Sequence, residues 1–369
     1  MKISVEPKLL ADTVAWAASV LPNQAGHPIL SGIHFEAADG SDAVTISATD
    51  NDVSVRATIA CNEVAEPGRA LLPGRVLNEA VKTLPGRRYV SIAAGERETT
   101  FQCGRAEFSL PIMAVKDFPA LPEPATTVGS VGAKELAEAV AQVAPATAHH
   151  SSTPMYVVVR LAFEGEILTC VGTDSYRIAT SRTTWTPARP GPVTAAHAAA
   201  VSLRDLLRGF ADGEAAIGLN ESLLSLTGDG RTATIRLIAI EQYINYQGGM
   251  SITFPSWAEA DRADLLEAAK RVALFTSKDE AVYLTLTDDA IHIGGGTGQI
   301  GKGSDVIDCR FDGDEAMTLK FQPQFLADAI SAVHTDRVRI GVLAPHRPCL
   351  LASTDEQYRY LCMPLRADS

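Results

Sequence analysis

Apolar positions recur along the chain with two periods, and the two alternate in an order that repeats. Around residues 10, 136 and 265 they fall at i, i+4 and i+7: Leu10, Val14 and Ala17; Leu136, Val140 and Val143; Leu265, Ala269 and Val272. This spacing lines one face of a helix. A second set falls at i, i+3, i+4 and i+7: Leu77, Ala80, Val81 and Leu84; Leu203, Leu206, Leu207 and Phe210; Leu326, Ala329, Ile330 and Val333. Each second helix is followed by alternating runs, Tyr89–Ile92, Ala216–Leu219 and Val338–Val342, and then by a closing run near Phe108–Leu110, Thr234–Leu237 and Tyr360–Met363. Alternation with β-branched enrichment predicts strands.

One unit of strand, helix, strands, helix and strands therefore occurs three times, the signature of tandem domains. The 369 residues suffice for several cores. Joints fall at Phe118-Pro-Ala-Leu-Pro-Glu-Pro124 and between Gly248-Gly249 and Pro255. They place the domains at 1–122, 123–250 and 251–369.

The stretch Gly294–Asp305, GGGTGQIGKGSD, comes within one residue of a phosphate-binding loop. Such a loop needs Ser or Thr after the Lys and a helix behind it, whereas Gly303 follows Lys302 and the next run, Asp305–Phe311, is extended in character. The equivalent stretches of the other copies are Ala48-Thr-Asp-Asn-Asp-Val-Ser-Val55 and Gly172-Thr-Asp-Ser-Tyr-Arg-Ile178. The glycine-rich segment is then the third copy of a strand-turn element, and Lys302 has no phosphate to reach.

Composition changes this picture little. Net charge is −12 and 46% of residues are hydrophobic, so any contact with nucleic acid requires basic side chains gathered on one face. The six cysteines stand singly, with no paired spacing, and read as small buried apolar residues; no metal or cofactor is expected. His149-His150 reads as a solvated loop. No apolar run approaches the roughly 20 residues that span a bilayer, and MKISVEPKLL lacks a signal-peptide core, so no membrane association and a cytoplasmic location are expected. Asp174, His197 and the serines fit no nucleophile-and-base spacing, and an enzyme is not expected.

Thr173-Asp-Ser-Tyr-Arg-Ile178 in the middle copy, Gly104-Arg-Ala-Glu-Phe-Ser-Leu110 and Asp117-Phe-Pro119 in the first, and the ending Met363-Pro-Leu-Arg366 together resemble the bacterial DNA polymerase III beta subunit, the sliding clamp. The resemblance spans the whole chain. It implies an α+β fold of three tandem DNA-clamp domains, each with two helices packed on antiparallel sheets, two protomers closing head to tail into a ring. It implies a processivity factor without a catalytic site, located at the nucleoid, that encircles double-stranded DNA without reading its sequence. Its partners would be the DNA polymerase III alpha subunit, the clamp loader and other proteins carrying clamp-binding motifs.

Carried over by position, the resemblance implies a peptide-binding cleft formed by Val158, Thr173, Ser175, Tyr176, Arg177, Ile178, Ile244, Leu361, Cys362, Met363, Pro364, Leu365 and Arg366. Soft Met and Leu side chains would repack around apolar anchors, and Arg177 and Arg366 would hold peptide carbonyls or acids. Alternatively, Met363 and Leu365 only close the third sheet. DNA contacts are expected from Gln24, Arg75, Tyr156 and His197, with Lys8, Lys82, Lys134, Arg204 and Arg208 on the lining helices, where ordinary solvated faces are the alternative. The homodimer joint would bring Arg105, Phe108 and Leu110 to Leu274 and Phe275; the alternative is that the apolar four are domain core.

Four departures from the family pattern mark this chain. Ala196-His197-Ala198-Ala199 stands where a basic pair is common, and Asn23-Gln24-Ala25-Gly26 is neutral where an Arg is often found. Arg160 replaces a small Gly, and in Ala239-Ile-Glu-Gln-Tyr-Ile-Asn-Tyr246 Ile244 replaces Pro beside a one-residue insertion. They point to a divergent paralogue, resistant to an inhibitor or serving a specialised pathway, or to an interaction protein that keeps the cleft without encircling DNA.

Overall fold

The first helices of the first and third copies start where the sequence provides a cap. Glu6 accepts from the amides of Lys8 (3.1 Å) and Leu9 (2.6 Å) ahead of the helix Pro7–Ala18. Asp261 accepts from Ala263 (2.8 Å) and Asp264 (3.0 Å) ahead of Arg262–Ala273. These bonds satisfy amides that an isolated helix end leaves unpaired. The apolar stripes, including Leu10, Val14, Leu265 and Val272, are fully buried. The middle copy supplies Ala133–Val143.

The second helices are shorter than their apolar pattern. They end at Lys82, Leu207 and Ala332, so Leu84, Phe210 and Val333 lie beyond them. Phe210 and Val333 are still buried, because the chain folds back past the helix end and packs them there.

The computed structural model describes residues 1–22, 26–86, 88–191, 194–210, 213–277, 280–298 and 301–365. They form two units, one of residues 1–137, 185–190 and 201–237 and the other of 138–184, 191–200 and 238–369. In the first unit, one antiparallel sheet runs Glu63–Glu66, Lys2–Val5, Val90–Ala94, Glu98–Cys103, Ala106–Pro111. A second runs Gly68–Pro73, Gly32–Ala37, Ala43–Thr49, Val53–Ala60, Arg231–Arg236, Leu223–Gly228, Glu214–Leu219, Thr127–Gly132. Strands of the first and second repeats thus share one sheet, joined where Val53–Ala57 pairs with Arg231–Ile235. Trp16 locks the helices above: its indole donates to the Leu206 carbonyl (3.0 Å) and meets the Phe210 ring edge-on. Any side chain at Gly209 would collide with that indole.

The second unit repeats the device. Its long sheet runs Thr194–Ala199, Val158–Glu164, Ile167–Thr173, the strand beginning at Arg177, Tyr358–Cys362, Cys349–Ser353, Arg337–Val342, Ser256–Asp261. The second and third repeats join where Arg177–Ser181 pairs with Tyr358–Cys362. A further sheet holds Gly303–Phe311, Ala290–Gly295, Val282–Leu286 and Met317–Phe321.

The near-phosphate loop lies in that last sheet, where Gly295 pairs with Gly303 across two antiparallel strands. Gly296, Gly298 and Gly301 have φ of 90°, 99° and 148°, which only glycine adopts without strain. No helix follows it, and the loop is a hairpin. The cysteines divide: Cys103, Cys170, Cys349 and Cys362 are buried, but Cys61 and Cys309 are partly exposed. Burial pushes the Cys170 and Cys362 thiols up to about 12.

Candidate peptide-binding cleft

The turn Thr173–Arg177 is built by its own side chains. The Thr173 hydroxyl donates to the Arg177 carbonyl (2.8 Å), and Asp174 Oδ1 accepts from the amides of Tyr176 (3.0 Å) and Arg177 (3.2 Å). Short polar side chains substitute here for ladder partners. Ser175 takes φ of 84°, which reverses the chain and leaves Tyr176 projecting, 65% exposed. On the neighbouring strand the amide of Met363 donates to the Tyr176 carbonyl (3.1 Å), and that of Leu365 donates to Lys320 (2.8 Å). The chain end is thereby held beside the turn.

Arg177 is turned into the fold. Nε donates to Asp174 (2.8 Å), Nη1 donates to Asp328 (2.7 Å) and to the Tyr360 hydroxyl (3.1 Å), and the guanidinium lies 4.0 Å from the Phe325 ring centre. With the side chain 8% exposed, these donors are committed inward. They brace the turn from within. Two carboxylates, one of them 151 residues away, compensate the buried charge of Arg177.

The other expected residues separate by burial. Val158, Thr173, Leu361, Cys362 and Pro364 are buried and form the frame, whereas Ser175, Tyr176, Met363 and Leu365 are exposed and Ile178 and Ile244 half-buried. Arg366 lies outside the described residues. Beneath them Met250, Phe254, Leu350, Ala352 and Leu361 form a core against which Ile178, Tyr246, Ile252, Trp257 and Leu343 pack. Sequence reasoning missed Tyr246, Met250 and Phe254; the aromatic spacing Tyr243–Tyr246 was the available signal. Exposed Tyr, Met and Leu over a fixed apolar floor suit an apolar peptide anchor.

The expected DNA contacts fare unevenly. Gln24 lies outside the described residues. Arg75 donates to the Pro22 carbonyl (3.0 Å), and Tyr156 is half-buried in the short turn Pro154–Tyr156. His197 cannot offer a cation near neutral pH. It accepts from Arg160 Nη1 at 2.9 Å and stacks on Tyr243 (5.4 Å), and burial together with the Arg160 charge lowers its pKa to about 4. On the helices Asp205 pairs with Arg204 (3.1 Å) and Arg208 (3.4 Å), and Glu79 with Lys82 (2.8 Å), while Lys8 and Lys134 are exposed.

Among the expected joint residues, Leu110 is buried within its own sheet and Phe108 stacks on Phe101 (4.8 Å), while Arg105 is exposed. Leu274 is 75% exposed and Phe275, which packs over the backbone of Gly301 and Gly303, 38% exposed.

Three family models match the chain: the N-terminal domain of the DNA polymerase III beta subunit over residues 1–122, its central domain over 130–241 and its C-terminal domain over 253–366. The beta sliding clamp of Streptomyces coelicolor is 32% identical over 379 residues, covering 99% of each chain. The beta sliding clamp of Micrococcus luteus is 32% identical over 85% of this chain and 100% of its own. The crystal structure of the DNA polymerase III beta subunit from Thermotoga maritima superposes with a TM-score of 0.88 at 22% identity, over 100% of both chains.

Proposed function

The chain belongs to the DNA polymerase III beta subunit family, the bacterial sliding clamps, and from that premise we propose how it works as one. Two copies join head to tail around double-stranded DNA, with the exposed Leu274 and Phe275 contributing to the joint, and the ring does no chemistry of its own. It holds a polymerase and other replication proteins by short peptides in the cleft beside Tyr176, Met363 and Leu365. Tethering raises the partner's effective concentration at the primer end, which is what converts a dissociating enzyme into a processive one. We propose three domains, 1–122, 123–250 and 251–369, and action in the cytoplasm at the nucleoid.

The observation that carries this reading is the cleft itself: an exposed apolar trio seated on a buried Arg177–Asp174–Asp328–Tyr360 network that fixes its geometry. A peptide site needs such preorganisation, because each side chain immobilised on binding reduces the affinity.

A second reading is favoured by the paired helix cations and the neutral His197: a clamp with a weak electrostatic grip on DNA, or one that offers the cleft without encircling it. The two separate in one experiment. The protein is loaded by a clamp loader on primed circular DNA, washed in salt, and the circle is then cut. Retention on the circle and loss from the linear form support the ring; no retention on either supports the interaction protein.

A further inference from the structure

Arg160 lies two residues along the strand from Val158, on the same face, and its guanidinium sits 5.1 Å from the Tyr243 ring centre. Nη1 donates to neutral His197, but Nε and the Tyr243 hydroxyl are buried without a hydrogen-bond partner in the protein. Both residues line a cavity of about 340 Å³ that Ile244 and Tyr246 also line. No carboxylate among the described residues pairs with Arg160; its neighbours are an imidazole and a phenol ring.

The Arg160 side chain is half-buried with no counter-charge, and its buried Nε donor lacks an acceptor, which costs free energy. Function is a common reason for such a cost to persist. The fork of Arg donors, with a phenolic O–H beside it, matches a carboxylate in geometry and charge. Glu164 and Glu241 line the same cavity on its exposed rim, which admits one acid to the deep end but opposes a polyanion such as a nucleotide. The volume is at the small end for a ligand site and suits a side chain rather than a whole cofactor.

The cavity leads toward the residues of the expected cleft. Ile244, expected in that cleft, lines the cavity, Tyr243 meets Tyr246 edge-on (6.4 Å), and Tyr246 and Ile178 both pack on the core that includes Leu361. We infer that Arg160 and Tyr243 form an added subsite that takes an acidic side chain flanking the apolar anchors of the bound peptide, and so select the partner. This rests on the reading of the cleft as the peptide site.

The test uses synthetic peptides, acetylated and amidated, carrying the glutamine, leucine and terminal phenylalanine anchors, with Glu or Gln placed in turn at each flanking position. Affinity for the full-length protein is read by fluorescence anisotropy. At one position the Glu peptide binds at least tenfold tighter than its Gln counterpart, Arg160→Gln abolishes that preference, and His197→Gln keeps it. Equal affinity of every Glu and Gln pair for the unmodified protein overturns the subsite while leaving the cleft intact. A preference that survives Arg160→Gln overturns it as well. If no peptide binds the unmodified protein, the cleft reading fails and the subsite with it.

Discussion

The two joints between repeats use the same backbone and end in opposite chemistry. At the first, the Thr49 hydroxyl donates to the Val53 carbonyl (2.7 Å), Asp50 Oδ1 accepts from Asp52 (3.0 Å) and Val53 (2.7 Å), and Asn51 takes φ of 81°. At the second, Thr173, Asp174, Ser175 and Arg177 do the same, with φ of 84° at Ser175. Each turn then receives an amide from the adjoining strand, Arg236 onto Asp52 (2.7 Å) and Met363 onto Tyr176 (3.1 Å). The tips differ. Asp52 meets the Arg236 side chain at 3.4 Å, and the groove there, about 420 Å³, sets Thr49, Asn51, Asp52, Ser54, Ser222 and Thr234 beside Pro119, Pro122 and Leu223. Tyr176 and Met363 instead stand exposed over an apolar floor. A turn motif therefore specifies a scaffold, and two tip side chains decide whether the scaffold becomes a polar seam or an apolar cleft.

The largest expected effect comes from the residue that distinguishes the second turn beneath its tip. Val53 is buried as a hydrocarbon where Arg177 is buried as an ion, so Asp328→Ala strips one of two carboxylates from a charge that is 8% exposed. Loss of about 3 to 5 kcal/mol is expected in urea denaturation. Asp52→Ala, which breaks a pair exposed on both sides, costs at most about 1 kcal/mol. Similar losses for the two variants would remove the distinction.

Removal of Leu365–Ser369 tests the tip chemistry. Clamp-binding peptide affinity should fall at least tenfold, about 1.4 kcal/mol, with the melting transition preserved. Asp52→Ala at the other joint leaves peptide affinity unchanged. Calorimetry showing full affinity in the truncated protein would move the partner site elsewhere.

The smallest effect sharpens the comparison through its sign. Burial raises the Asp50 carboxyl above its usual pKa, outweighing the amides it accepts. The folded state then binds its proton more readily than the unfolded chain, so this group's contribution is best below the unfolded pKa near 3.8 and is lost as pH rises through the folded value. Asn at position 50 removes that loss, and its advantage over the unmodified protein should grow from pH 3 to pH 7. Asp174→Asn should instead destabilise the protein at pH 7, because it removes a carboxylate paired with buried Arg177. Paired denaturation curves at the two pH values read the difference, and like signs for the two variants would break the comparison.

Much of the fold was legible because it is local and repeated. Helix stripes and turns lie within a few residues of one another, and three copies of one pattern corroborate each other where one would be ambiguous. The hairpin at Gly296–Lys302 could be separated from a phosphate loop because Gly303 and the extended run behind it break the motif. The roles of individual charged residues were less legible. Arg177 was expected to face a peptide, and its Nη1 donates to Asp328 and Tyr360; His197 was expected to meet DNA, and burial together with the Arg160 charge lowers its pKa to about 4.

By itself the sequence determined the three repeats, the turns and the set of side chains at the second joint, since each depends on spacing over a few residues and on backbone preferences that the copies share. Only the tertiary structure decided which of those side chains are free. That depends on partners brought from 151 residues away in the case of Arg177 and Asp328, and 37 in the case of Arg160 and His197. A charge's availability is set by what the fold packs against it, and desolvation acts over contacts in space that no local pattern encodes.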